Sequence, residues 1–338
     1  MPRRIIGVEK NYDWGDEITI RHTLGAPSSR GTKVAELWFG THPQGPSRVT
    51  HPHEPLSSVT GEMTMLVKLI ACAQPLSLQT HPTLEQAREG FAREEQEGIP
   101  RDASNRMYRD ESDKPEMIIA LSRFEALCGF APIEDSVKFL RSIGWRREAN
   151  HLAKTGIASY LKWAMSSQKH LSFWRAPKWL RNLHRLHPRD PALRIAPLLN
   201  YVVLEPGQAL SLPAGNLHAY LHGFGIEVMN SSDNVIRAGF TNKFVDVNEL
   251  LKIIDTSPLL QPVVEVSDDG MYPSPSPAFS VGNFSTINQF PNSHRIVYGN
   301  LGDWDGTGPF IRHPEVVLVE AGETANINSS NMIVCTQN

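Results

Sequence analysis

Several short stretches hold residues whose types and spacing could do chemistry. The first is Ser77-Leu78-Gln79-Thr80-His81-Pro82. On a strand, side chains two apart share a face, so Gln79 and His81 project together while Leu78 and Thr80 face away. Burying such a pair without partners costs roughly a few kcal/mol. Metal ligation would satisfy it, and so would hydrogen bonding. The second is Asp113-Lys114-Pro115-Glu116, where Glu116 heads the apolar run Met117-Ile118-Ile119-Ala120-Leu121. That carboxylate is either a ligand at the head of a buried strand or a solvated strand end. The third is Pro213-Ala214-Gly215-Asn216-Leu217-His218. His218 stands just past a hairpin and could reach the mouth of a barrel, or sit as a satisfied core histidine. Gln79, His81, Glu116 and His218 together make two imidazoles, one carboxylate and one carboxamide. Such a set suits Zn²⁺, and also Fe²⁺, Mn²⁺ or Co²⁺. With one anionic ligand, a divalent ion keeps net positive charge and stays a Lewis acid.

A fourth stretch, Asp233 to Lys243, contains Arg237 and Lys243, and Lys68 and Lys114 can join them. Arg offers phosphate a two-pronged fork and Lys a point charge. Without the metal set, this would read as an ordinary charged loop. Glu227 lies between apolar residues in Gly225-Ile226-Glu227-Val228-Met229. It could be a general base, or a buried acid hydrogen-bonded to Arg237.

These residues need a frame. Residues 1–82 read as short strands broken by Gly, Pro and Ser clusters. Thr83-Leu84-Glu85-Gln86 has the form of a capping box, and a helix is expected over 85–97. A strand is expected over 115–121. From 132 to 188, Ile133, Val137, Leu140 and Ile143 recur at helical spacing. Strand, turn and strand return from Asn200, and Asp246 caps a short helix. Residues 267–278 are rich in Ser and Pro and read as a linker. The sum is a mainly β fold, a jelly-roll barrel or barrels with a helical insertion. The expected organisation is a central β domain over 1–131 and 189–265, a helical insert over 132–188, and a C-terminal β domain over 266–338.

Composition narrows the partners. The chain has 338 residues, a net charge of −3 and 20% charged residues. Nothing in that balance points to nucleic acid. No apolar run approaches the ~18 residues of a spanning helix, so no membrane partner is expected. Cys72, Cys128 and Cys335 are too few and too far apart for a disulfide framework. They fit a reducing cytoplasm, as buried small hydrophobes.

Six motifs in order carry a family resemblance. They are Asn11-Tyr12-Asp13-Trp14-Gly15; Ala35-Glu36-Leu37-Trp38 with Gly40 and His42-Pro43; Gln74 to Pro82; Lys114-Pro115-Glu116-Met117; Pro213 to Tyr220; and Ser232-Asp233-Asn234-Val235 through Arg237-Ala238-Gly239 to Thr241 and Lys243. The chain resembles the type I mannose-6-phosphate isomerases, zinc enzymes of the cupin fold. The resemblance implies one Zn²⁺ per chain on Gln79, His81, Glu116 and His218, and substrate-site residues at Lys68, Ser77, Lys114, Glu227, Arg237 and Lys243. It implies the interconversion of mannose 6-phosphate and fructose 6-phosphate through a cis-enediol. Arg237 would stabilise developing charge, and Lys68, Ser77 and Lys114 would hold the phosphate. Glu227, Asp113 and a zinc-bound water remain rival bases. A cytoplasmic monomer acting in mannose metabolism and GDP-mannose biosynthesis is expected.

The departures are specific. Asp113 stands where the family usually has His, so a proton-carrying role is either lost or handed to a carboxylate near the substrate. Asn242 replaces a Pro and Ser231 an Asn. The insert is short, and the C-terminal barrel is expected to be small, degenerate or truncated. A cupin oxygenase using Fe²⁺ and a non-catalytic or degenerate cupin that binds a sugar phosphate are the rival readings.

Overall fold

The structure, a computed structural model, describes residues 2–27, 31–167, 169–286, 290–301, 313–323 and 328–338. It is mainly β, and the 13-residue strand His218–Asn230 organises it. The first half of this strand pairs antiparallel with Phe124–Phe130 and meets Leu78–Thr80 through His218 and Gln79. Its second half pairs with Met65–Cys72 on one side and Glu116–Ala120 on the other. One strand therefore belongs to both walls of a jelly roll, with a register shift between Tyr220 and His222 where it changes wall. Glu36–Phe39 extends the first wall beyond Met65–Cys72, and Ala209–Leu212 extends it beyond Glu116–Ala120. Ile236–Gly239 pairs with Leu78–Thr80 on the second wall.

Alternation along Met65–Cys72 explains why the whole strand is buried. Met65, Val67, Leu69 and Ala71 face outward, into a core shared with Val281, Ile296, Leu318 and Ile333 of the C-terminal sheet. Leu66, Lys68 and Ile70 face inward and line a cavity. The neighbouring strands obey the same period of two. Met117, Ile119, Ile226 and Val228 face the outer core, whereas Glu116 and Glu227 face the cavity. The closed end of the barrel is filled by Cys72, Ile118, Phe124, Cys128, Leu204 and Leu210.

The stretch after the second barrel wall is helical. Helices Ile133–Ser142, Arg146–Ser166 and Lys178–Leu186 bury Leu140, Leu152, Tyr160, Leu180 and Leu183. The second helix breaks at Gly156, whose φ of 74° lies in the left-handed region that glycine tolerates. Thr83 makes the capping box with Gln86, and Asp246 caps Val247–Ile253 by accepting from the Glu249 amide. All three cysteines are free and buried. None of the helices is long and apolar enough to cross a membrane, among the described residues.

Two features differ from the sequence reading. Arg3–Ile6 pairs with Glu315–Val319, so the first strand of the chain belongs to the C-terminal sheet and crosses the expected boundary at 266. The Ser- and Pro-rich stretch before Phe279 is stitched down. The Tyr272 hydroxyl donates to the Gly207 carbonyl at 2.7 Å and the Ser276 hydroxyl to Asn230 Oδ1 at 3.1 Å.

Candidate active site

A cavity of about 320 Å³ opens where the two walls part. At its base, His81 Nε2 lies 3.3 Å from Glu116 Oε1, and His218 Nε2 lies 3.3 Å from Glu116 Oε2. The three ligand atoms lie within 4.8 Å of one another and all three residues are buried. His81 Nδ1 is 2.7 Å from the Asn234 carbonyl and His218 Nδ1 is 3.0 Å from that of Asn216. A carbonyl can only accept, so each Nδ1 carries the proton and each Nε2 presents a lone pair. Both Nε2 atoms and Glu116 Oε2 are buried without a hydrogen-bond partner. Leaving three such atoms orphaned is costly, and a divalent cation satisfies all of them. The donor set of two imidazoles and a carboxylate fits zinc.

Electrostatics agree with that fit. Burial pushes His81 down to about 4, which keeps the ring neutral and ready to ligate. Burial would raise Glu116, but Lys114, with Nζ 3.1 Å from its Oε1, and the two imidazoles hold its carboxyl well below the usual range. Gln79 lies on the cavity wall, cross-strand from both His218 and Arg237. Its Oε1 accepts from the Ser77 hydroxyl at 3.1 Å. That bond aims the carboxamide, so Ser77 acts on Gln79 directly.

Above the triad lies a buried ion pair. Lys68 Nζ is 2.8 Å from Glu227 Oε2, and the Tyr220 hydroxyl donates to Glu227 Oε1 at 2.9 Å. Lys68 and Glu227 are cross-strand partners, which is why two residues so far apart in sequence meet. Burial raises Glu227, with Glu116 and Glu36 adding to the rise and Lys68 opposing it. Despite burial, Lys68 is held above its ordinary value by Glu227, Glu36 and Glu116, so it stays charged.

The mouth is different. Arg109, Arg237 and Lys243 line the cavity, and no carboxylate lies within 4 Å of any of them among the described residues. Burial lowers both Arg237 and Lys243, and the charge of Arg109 adds to each shift. Three cations gathered at one mouth, with no carboxylate paired to them among the described residues, are poised for an anionic ligand.

The structure thus gathers Gln79, His81, Glu116, His218, Lys68, Ser77, Lys114, Glu227, Arg237 and Lys243 at one place. Asp113 is the exception. It does not line the cavity, and its Oδ1 accepts from the Asn230 amide at 2.9 Å. Of the two readings of Glu227, the hydrogen bond to Arg237 does not form, because the Glu227 oxygens are taken by Lys68 and Tyr220. Arg109, Tyr220 and Asn234 were missed as site residues. Asn234 is fully buried; its Oδ1 accepts from the Arg109 amide at 2.7 Å and its Nδ2 donates to the Asp110 and Ser112 carbonyls. It therefore ties the loop that carries Arg109 to the segment whose carbonyl holds the His81 ring.

Fold and site define a cupin whose barrel holds a His/Glu/His metal centre beneath a cationic mouth. Residues 3–133 match the type I phosphomannose isomerase catalytic domain. Mannose-6-phosphate isomerase of Escherichia coli is 31% identical over 379 aligned positions, covering 95% of each chain. That of Salmonella typhimurium is 32% identical over 294, covering 76% of this chain and 75% of its own. A zinc-bound crystal structure of mannose 6-phosphate isomerase superposes with a TM-score of 0.84 at 28% identity, covering 100% of this chain and 99% of that one. The Salmonella typhimurium enzyme bound to fructose 6-phosphate and zinc superposes with a TM-score of 0.83, at the same identity and coverage. The chain belongs to the mannose-6-phosphate isomerase family.

Proposed function

We infer that the protein is a zinc-dependent isomerase that interconverts mannose 6-phosphate and fructose 6-phosphate. The observation that carries this is the buried triad of His81, Glu116 and His218, with its unpaired nitrogens converging under three unpaired cations. A binder without turnover has no need of an open Lewis-acid site, which weighs against the non-catalytic alternative. An Fe²⁺ oxygenase has no need of the cationic mouth.

His81, Glu116, His218 and Gln79 would hold the metal, which would supply Lewis acidity toward the substrate oxygens. The remaining work falls to the chain. Arg109, Arg237 and Lys243 take the phosphate, because their charges are free, whereas Lys68 and Lys114 are each paired with a carboxylate. Lys68 and Lys114 lie deeper, where they orient hydroxyls and stabilise negative charge as the cis-enediol forms. Glu227 moves the proton between C2 and C1; its raised pKa and its hydrogen bond from Tyr220 suit a carboxylate that must both take and return it. Trp38, edge-on to His42 and near Lys68, helps wall the site from water. We read the protein as a cytoplasmic monomer feeding mannose 6-phosphate toward GDP-mannose; its free thiols fit a reducing compartment.

The test is a coupled assay for fructose 6-phosphate formed from mannose 6-phosphate, before and after chelation. Activity is expected to vanish with the metal and return with zinc. A folded, zinc-loaded protein that does not turn over either sugar phosphate would overturn the reading.

A further inference from the structure

A second cavity, of about 610 Å³, lies on the helical insert and not in the barrel. Lys169, Arg189 and Arg194 line it, beside a ring pair in which His184 stacks on Phe173 at 3.9 Å. Among the described residues, the only carboxylate on its wall is Asp190, which is occupied with backbone amides. Arg194 is 5% exposed and buried beside the cavity, yet no carboxylate lies within 4 Å of its guanidinium among the described residues. That guanidinium donates to the Lys169 carbonyl, and its Nε is buried without a partner. Burial lowers it, and Glu148, at longer range, only partly opposes this. A buried cation without a counter-ion is costly, so such a wall favours a bound anion. The wider field points the same way. Residues 132–188 carry eleven Lys and Arg against three Asp and Glu, in a chain of net charge −3.

The same wall touches the active site from behind. Asp190 Oδ2 accepts from the Phe240 amide at 2.5 Å, while Oδ1 accepts from the Ala192 amide at 2.9 Å. Phe240 has φ of 53°, a strained conformation for an aromatic residue. It begins the Phe240-Thr241-Asn242-Lys243 turn, whose Phe240, Thr241 and Lys243 line the catalytic cavity. Only glycine fits at 239, because a Cβ there would sit 2.4 Å from Ala192 and 2.6 Å from Asp190 Oδ1. The turn that presents Lys243 is thus held in place by a side chain of the second cavity.

We propose that this insert cavity is an effector site for a phosphorylated small molecule, and that occupancy is transmitted through Asp190 to the Phe240–Lys243 turn. Lys169 and Arg189 reach the phosphoryl oxygens from the rim, Arg194 supplies positive charge from the wall, and the Phe173–His184 face takes the remainder of the ligand. The volume is right for a metabolite of nucleotide size or smaller.

The test uses the full-length, zinc-loaded protein in fructose 6-phosphate already brought to equilibrium, so that the catalytic site is occupied. Inorganic pyrophosphate and ADP are titrated in by calorimetry. One binding event per chain is expected to persist under these conditions. It is expected to weaken about tenfold or more in a Lys169→Ala/Arg189→Ala double variant, whose kcat and KM without added ligand match the parent. Tighter binding of ADP than of pyrophosphate would assign the ligand to nucleotides; the reverse would assign it to other phosphate esters or anhydrides. In the isomerase assay at saturating substrate, either ligand should change the velocity of the parent and not of the double variant. Absence of binding, binding displaced by substrate, or binding unchanged in the variant would overturn the site. Binding with no change in velocity would overturn the transmission. Calorimetry reads the site whether or not the protein turns over, so a failure of the isomerase reading is distinguishable from a failure of this one.

Discussion

Glu227 and Lys68 illustrate how one buried pair can serve chemistry at some cost to stability. Their 2.8 Å contact leaves Glu227 with every oxygen engaged and with a carboxyl raised by burial. If Glu227 is the base, it works deprotonated. Activity should then fall as pH drops through its raised pKa, placing the acid limb of kcat/KM above the ordinary carboxylate range. Glu227→Gln should reduce kcat by about 10²-fold or more while zinc content stays at one per chain. A fall below tenfold with zinc retained would remove Glu227 from that role. Arg109 makes a different prediction. It is free of carboxylates and shares the mouth with Arg237 and Lys243, so Arg109→Ala should raise KM for both sugar phosphates by about tenfold and leave kcat within a few-fold. An unchanged KM would move the phosphate elsewhere in the cavity.

At the scale of elements, the loop 109–113 and the start of the Ile236–Gly239 strand act as one piece because Asn234 joins them. Asn234 also accepts, through its carbonyl, the Nδ1 proton of His81. Asn234→Ala would leave the Arg109 amide and the Asp110 carbonyl without their side-chain partner in a half-buried loop, and the Ser112 carbonyl with only the Ser232 hydroxyl. The expected results are a loss of about 2–4 kcal/mol of stability and about 10–100-fold weaker zinc binding. A variant that unfolds at the parent temperature and holds zinc as tightly would reduce Asn234 to a bystander. Much of this level was legible beforehand. The two-residue period placed Gln79 and His81 on one face, and the capping box at Thr83 and the cap at Asp246 were legible in the sequence. The helical repeat of 132–188 was equally plain. What was hidden was non-local. Nothing near Lys68 announces Glu227, because only the register of two strands brings them together. Likewise, no local pattern places Arg3–Ile6 in the C-terminal sheet, or tells that Asp113 turns away to Asn230. The role of Asn234 was hidden for the same reason: its partners lie more than 100 residues away.

At the scale of the whole molecule, the metal centre is a point where folding, protonation and zinc binding meet. The triad side chains come from three different stretches: His81 just past Leu78–Thr80, Glu116 heading one strand and His218 heading another. Both barrel walls must therefore be in register before the site exists. His81 is held neutral by burial, at about 4, against about 6.5 in an unfolded chain. Its folded pKa is depressed, so the folded state disfavours the proton that the unfolded chain accepts. The stability this represents is fully present above about pH 6.5 and is lost as pH falls from there through about 4. The full span is worth roughly a few kcal/mol. Zinc sharpens the dependence, because it binds the neutral ring and must be displaced before the ring can protonate. The expected outcome is that zinc-loaded protein holds a higher Tm than the metal-free form at pH 7, and that this advantage shrinks steadily toward pH 5. His81→Gln keeps a neutral polar side chain but weakens the ligand set, and it should flatten the dependence in the metal-free protein while losing most of the zinc effect. Thermal unfolding across this range, with and without zinc, checks both forms at once. An advantage constant from pH 7 to 5 would mean that protons and metal do not compete at the triad, and that His81 is not the group linking them.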